Sequence, residues 1–255
     1  MTASPDAVAD RPARRSWLVV PVPGPDEWAS LDTTAADVVV LDLVEFVQPR
    51  YRGDSRLELP TAIARLAGNG HQVFVQTTAA DPFDDLDAAV RAGLTGIVVA
   101  DAETRGQIEA IDGLLDRQER ERGLSPGAIE IVVALESGRG NWDAFEIATA
   151  SSRVTGVTLG RVDLKMDLRA EPSGELHLLP YLMERLIVVA GACGRSPIGA
   201  WWRHPARGML ADEQRTYEAA VRGAAIGFRG GMCLTEEQVR SFNRAYAPAS
   251  DRASR

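Results

Sequence analysis

Short apolar, β-branched runs alternate with longer amphipathic runs along the whole chain. "SWLVVPV" precedes "GPDEWASLDTT", "DVVVLDLVEFV" precedes "LELPTAIARLAGNG", and "QVFVQTT" precedes "DPFDDLDAAVRAGL". "TGIVVADAE", "IEIVVALES" and "VTGVTLGRVDL" lead into "RGQIEAIDGLLDRQERERG", "NWDAFEIATAS" and "LLPYLMERLIVVAGACG". "PIGAWWR" and "FRGGMCL" lead into "ADEQRTYEAAVRGAAIG" and "TEEQVRSFNRAYA". Near-continuous apolar strands that alternate with helices are parallel strands covered on both faces. Glycines close several of the helices, at "AGNG", "RAGL", "GACG" and "AIGF". Eight such units in about 240 residues have the size and period of a (β/α)8 barrel. The predicted fold is therefore α/β, a single-domain (β/α)8 TIM barrel over residues 15–248, with loose tails at 1–14 and 249–255. A doubly wound open sheet is the rival, but no Gly-rich loop of the GxGxxG type follows the first strand.

Composition narrows the partners. With 36 acidic and 28 basic side chains and a net charge of −8, neither a nucleic acid nor an anionic membrane is expected to bind. No stretch approaches the roughly 18–20 apolar residues that span a bilayer, and the N-terminal arginines are followed by no apolar signal region. Cys193 and Cys233 are the only cysteines, which suits a reduced, cytoplasmic setting.

Barrel chemistry sits at the C-terminal ends of the strands, so the polar residues that end the apolar runs are the candidates. They are Asp42 and Glu45 on the second strand, Gln76 with Thr77 and Thr78 on the third, and Asp101 and Glu103 on the fourth. The fifth gives Glu136 and Ser137 with Arg139 beyond, the sixth Arg161 and Asp163, the seventh Arg203 and His204, and the eighth Cys233 and Thr235. Glu136 and Asp163 end neighbouring strands, about 4.8 Å apart in a sheet. Two carboxylates so placed can close on a hard cation such as Mg²⁺, which keeps open positions for water and substrate oxygens. The alternative is that each caps the helix that follows. Asp101 and Glu103 read as helix-start residues, and His204 either as a loop histidine packed beside Trp201 or Trp202 or as a proton donor or base facing the mouth.

The blocks "RSWLVVPVPGPDEW", "VVVLDLVEFV", "VVALESGRGNWDAFEIA", "VTLGRVDLKMDL" and "EEQVRSFNRAYAP" resemble, in order, those of the citrate lyase β-subunit-like proteins of the HpcH/HpaI aldolase group. The resemblance implies a Mg²⁺-dependent lyase or aldolase, usually a homo-oligomer and often a trimer; Mn²⁺ is the alternative ion. It implies that Glu136 and Asp163 are the metal ligands. A carbon–carbon bond would be cleaved or formed through a metal-stabilised enolate of a 2-oxo acid or acyl-CoA substrate. Glu45 would serve catalysis, with Asp42 either reacting or orienting its neighbours. Gln76, Gly160 and Arg161 would bind substrate, Arg139 would either join them or position the loop that starts the next helix, and backbone amides near Gly160 would take a carboxylate.

The chain also departs from the family pattern. Where the family usually has "LDLEDAV", this chain has "LDLVEFV", so Val44 replaces a glutamate and Glu45 stands at the aspartate. Gln76 stands nearest the position of a substrate-gripping arginine and cannot make the bidentate, charge-assisted contact. Thr235 and Glu236 stand where a His-Pro pair is common. The alternative is accordingly a catalytically altered or inactive barrel that binds a metabolite or a partner protein. A Schiff-base aldolase is disfavoured, because Lys165 is the single lysine.

Overall fold

The computed structural model describes residues 13–22, 28–160, 178–199 and 212–248. Its parallel strands are β1 (Ser16–Pro21), β2 (Val38–Asp42), β3 (Gln72–Thr78), β4 (Leu94–Ala100), β5 (Glu130–Ala134), β6 (Val154–Thr158), β7 (Ser196–Ile198) and β8 (Gly231–Cys233). They form one eight-stranded sheet in the order β7-β6-β5-β4-β3-β2-β1-β8. A parallel bridge between Gly199 and Gly231 brings its two edges together, supported by Met232 N–H donating to the Gly199 carbonyl at 2.8 Å. The result is a nearly closed (β/α)8 barrel, as the alternation of runs predicts.

Outside the sheet lie α1 (Trp28–Leu31), α2 (Arg52–Gly68), α3 (Phe83–Ala89), α4 (Arg105–Glu121), α5 (Gly138–Trp142), α6 (Ala144–Ala148), α7 (Leu178–Cys193), α8 (Glu213–Ile226) and α9 (Glu236–Ala245). The central residues of the strands are buried on both faces. Trp17, Val19, Val38, Val40, Phe74, Val98, Val132, Ala134, Ile198 and Met232 pack together as the barrel interior. Leu18, Val39, Leu41, Val73, Val75, Ile97, Val99, Ile131 and Val133 pack outward in a second core shared with helix residues such as Leu59, Ile63, Ile108 and Leu115. The period of two is present but hidden, since both registers are apolar.

Polar clusters among the described residues also tie the layers. At the N-terminal end of the barrel, Arg14 grips the Glu130 carboxylate with two donors at 2.7 and 2.9 Å and also donates to Gln72 at 2.8 Å. Thr155 donates to the same Glu130 at 2.7 Å. On the flank, buried Asp85 of α3 accepts from Arg56 of α2 at 2.8 Å and from Thr77 of β3 at 2.7 Å.

Three local expectations differ from the structure. The second strand stops at Asp42, although the apolar run continues to Val47. The Asp42 carboxylate accepts the backbone amides of Val44, Glu45 and Phe46 at 3.0, 2.9 and 2.7 Å, and this turns the chain out of the sheet. Helix α2 begins at Arg52, well before Leu57, and passes through Pro60. An interior proline costs on the order of 3 kcal/mol, which the burial of Leu59, Ala62, Ile63 and Leu66 offsets. Finally, α4 is capped by Thr104, in a reciprocal capping box with Gln107, and not by Asp101 or Glu103.

Candidate active site at the barrel mouth

The mouth is built from residues just past the strand ends. Ala134 of β5 pairs with Thr158 of β6, and Glu136 and Gly160 each lie two positions beyond that rung. Glu136 follows the parity of Val132 and Ala134, both of which face the interior, so it continues the inward row. It is almost fully buried, at 1% exposure.

Capping does not account for Glu136. Helix α5 takes Ser137 as its N-cap, whose hydroxyl accepts from the Gly140 amide at 3.0 Å. Glu136 instead reaches sideways across the sheet. Its Oε2 accepts the backbone amide of Asp101, past the tip of β4, at 3.2 Å. Its Oε1 lies against Gly160, where an added Cβ would come within 2.2 Å of it. Gly160 has φ +55°, a backbone conformation natural to glycine. The absent side chain therefore leaves room for a carboxylate oxygen. A buried carboxylate free of capping duty and cradled this way is a hard oxygen donor that suits Mg²⁺.

The tips of β2 and β3 supply the neighbouring polar groups. Asp42 and Gln76 are paired across the two strands, both buried and on the inward parity of Val40 and Phe74. Burial pushes the Asp42 carboxyl up to about 6, against the pull of the amides of Phe46, Val44 and Glu45, and the nearby Glu45 charge adds to the rise. Asp42 thus shapes the turn that carries Glu45, which is half-buried. Arg139 lies exposed on α5, 3.9 Å from Asp143. Cys233 is buried at the end of β8, and burial raises its thiol, which makes it a poor nucleophile. Thr235 caps α9, accepting from the Gln238 amide.

Asp163 and Arg161 lie outside the described residues, as do Lys165, Trp201, Trp202, Arg203 and His204. Among the described residues, no three His, Cys, Asp or Glu side chains form a group that could hold a metal. Asp101, expected to start a helix, instead meets the site through its backbone amide. Its single possible signal was its residue type, since aspartate tolerates a left-handed backbone better than most.

The Asp42 carboxyl makes a prediction about pH. Its folded value is raised above its unfolded one, so its favourable contribution is complete below about 4 and is lost as pH rises through about 6. Wild type should lose up to roughly 3 kcal/mol relative to Asp42→Asn between pH 4 and pH 7. Urea unfolding midpoints of both proteins across that range check this, and parallel curves would contradict it.

A family model described as HpcH/HpaI aldolase/citrate lyase matches residues 15–235. The chain belongs to that family. The citrate lyase subunit beta of Leuconostoc mesenteroides subsp. cremoris is 26% identical over 238 residues, 92% of this chain and 77% of the relative. The L-malyl-CoA/beta-methylmalyl-CoA lyase of Cereibacter sphaeroides is 28% identical over 269 residues, 95% of this chain and 82% of the relative. The fold matches a citrate lyase beta subunit from M. tuberculosis complexed with oxaloacetate and magnesium, with TM-score 0.70 and 24% identity, covering 92% of this chain and 98% of that one. Family membership agrees with the expectation of a carbon–carbon lyase. Among the described residues no helix is long and apolar enough to cross a membrane.

Proposed function

We propose that the chain cleaves or forms a carbon–carbon bond in a 2-oxo acid or acyl-CoA substrate with a divalent cation, Mg²⁺ or Mn²⁺, at the mouth of the barrel. The observation that carries this reading is Glu136, buried past the tip of β5 and released from capping by Ser137. Glu136 and Asp163 are the proposed ligands. A bound cation would supply Lewis-acid polarisation of the substrate's keto and carboxylate oxygens and offset the charge that builds on them as the bond breaks.

The chain's own residues do the rest. The row of apolar side chains below the mouth, Ala134, Val98 and Val40 among them, excludes water from beneath the reacting carbon and so strengthens each polar contact above it. Backbone amides from Gly160 onward, with Arg161, are the proposed grip on a substrate carboxylate. Gln76 offers a neutral amide to a substrate carbonyl or hydroxyl, which points to a substrate lacking a second carboxylate at that position. Glu45 is the proposed proton carrier, held on the turn that Asp42 organises. The acyl-CoA class draws support from the malyl-CoA relative and the 2-oxo acid class from the oxaloacetate complex. Homo-oligomerisation, trimeric in the closest reading of the resemblance, and a cytoplasmic location are part of the same proposal.

The test is turnover of oxaloacetate, malyl-CoA and citramalyl-CoA with and without EDTA. Turnover that EDTA abolishes and Mg²⁺ restores is expected. Mg²⁺ binding without turnover of any of them would favour the alternative, a barrel that keeps the cation site and binds a metabolite or a partner protein, for which the neutral Gln76 is the specific observation.

A further inference from the structure

Among the described residues, Asp101 is the one non-glycine with a positive φ, at +55°. Left-handed backbone is unfavourable for L side chains, and it persists only where the surroundings over-determine it. The surroundings here are specific. The Ala100 carbonyl accepts from Ala79 N–H at 2.9 Å, and the Ala102 N–H donates to the Ala134 carbonyl at 3.3 Å. On the outer side, Gly140 of α5 packs so closely that an added Cβ would stand 2.4 Å from the Ala102 carbonyl oxygen. Between these fixed points the Asp101 amide donates to Glu136 Oε2 at 3.2 Å. A left-handed turn is what lets the chain spend the Asp101 amide on Glu136 and still return the next amide to β5.

On the far side of the same carboxylate stands Gly160, also at φ +55°, with its Cα against Oε1. Glu136 is therefore clamped between two left-handed residues, one past each neighbouring strand. The clamp fixes the plane of a side chain that would otherwise rotate about three torsions.

We propose that Asp101 is a positioning residue for Glu136 that acts through its backbone: the left-handed turn past β4 aims its amide at Oε2 and so sets the direction in which the carboxylate meets a cation. The inference rests on the metal reading of Glu136 given above. It assigns the work to the φ angle and the amide, so that what the carboxylate receives from this residue comes from its backbone. Partners of metal ligands typically alter affinity by 10–100-fold when lost.

The experiment is Mg²⁺ titration calorimetry on the full chain, with thermal unfolding of the same samples, for wild type, Asp101→Gly and Asp101→Val. Glycine adopts φ +55° freely and keeps the amide, so D101G should bind Mg²⁺ within about twofold of wild type. Valine resists the conformation, so D101V should bind at least about tenfold more weakly. If D101V does not fold, Asp101→Ala provides the milder strain with the same expected direction. A D101V protein that melts earlier but binds Mg²⁺ like wild type would overturn the inference, since the turn would then be structural alone. A D101G protein as impaired as D101V would overturn it too, by showing that the side chain does the work. Both outcomes differ from failure of the parent reading, in which wild type itself binds no Mg²⁺.

Discussion

Glu136→Gln should reduce kcat/KM by about 10³-fold or more and remove Mg²⁺ binding from calorimetric view, with little loss of stability. Glutamine has nearly the same shape, and its carbonyl oxygen can still accept the Asp101 amide that now meets Oε2. What it lacks is charge. Glu136 is almost fully buried, and an ionised carboxylate there is costly unless something compensates it. The amide fills the same space and keeps an acceptor for the Asp101 amide, so the unfolding midpoint should hold to within about 1 kcal/mol. A structural glutamate would behave in the opposite way, losing midpoint and keeping turnover. Retained EDTA-sensitive activity in Glu136→Gln would move the cation to other residues of the mouth and end the assignment made above.

How much of this the sequence disclosed depends on whether a side chain or the backbone carries the information. Glu136 was visible because a carboxylate ends an apolar run, where burial gives it no benefit. Its release from capping was not visible, because Ser137 beside it is an equally good cap and only coordinates show which of the two accepts the Gly140 amide. The end of β2 was misjudged for a similar reason. Val44, Phe46 and Val47 have strand-forming side chains, and the event that stops the strand is Asp42 collecting three amides. The inner and outer faces of the barrel were also not separable, since Val38 and Val39 are alike in type yet face different cores. Asp101 was least legible of all, because a φ angle imposed by tertiary contacts leaves almost no mark on composition. The alternation of runs, in contrast, depends on nothing but burial, and it gave the barrel correctly.

Arg153→Met should be the most destabilising of the substitutions considered, at about 3–5 kcal/mol, or on the order of 10 °C in melting temperature for a chain of this size. Arg153 precedes β6 at the end of the barrel opposite the mouth and is 6% exposed. Its guanidinium donates to Asp112 at 2.6 Å and to both oxygens of Glu119 at 2.8 and 2.7 Å, and it also pairs with Asp116. Burial alone would lower the guanidinium, and the Glu119, Asp116 and Asp112 bonds overcome it and raise it instead. Burial likewise works to raise Glu119, yet Arg153 and the amides of Ile129 and Gly127 hold it below the ordinary range. Methionine fills similar volume and leaves a fully buried Glu119 without its cation. Because the Glu119 value is depressed in the folded state, its contribution is present above the unfolded value and disappears as pH falls through the folded one. The deficit of Arg153→Met should therefore be greatest near neutral pH and narrow under acid. Adding Glu119→Gln should recover part of the loss, since the amide keeps an acceptor for the Gly127 or Ile129 amide and carries no charge. Urea unfolding of the single and double variants at pH 7 and pH 4 measures all three effects. A deficit that is equal at both pH values would assign the role of Arg153 to packing of its aliphatic stem, and Mg²⁺ affinity should stay at the wild-type value in either case because the cluster lies at the opposite end of the barrel.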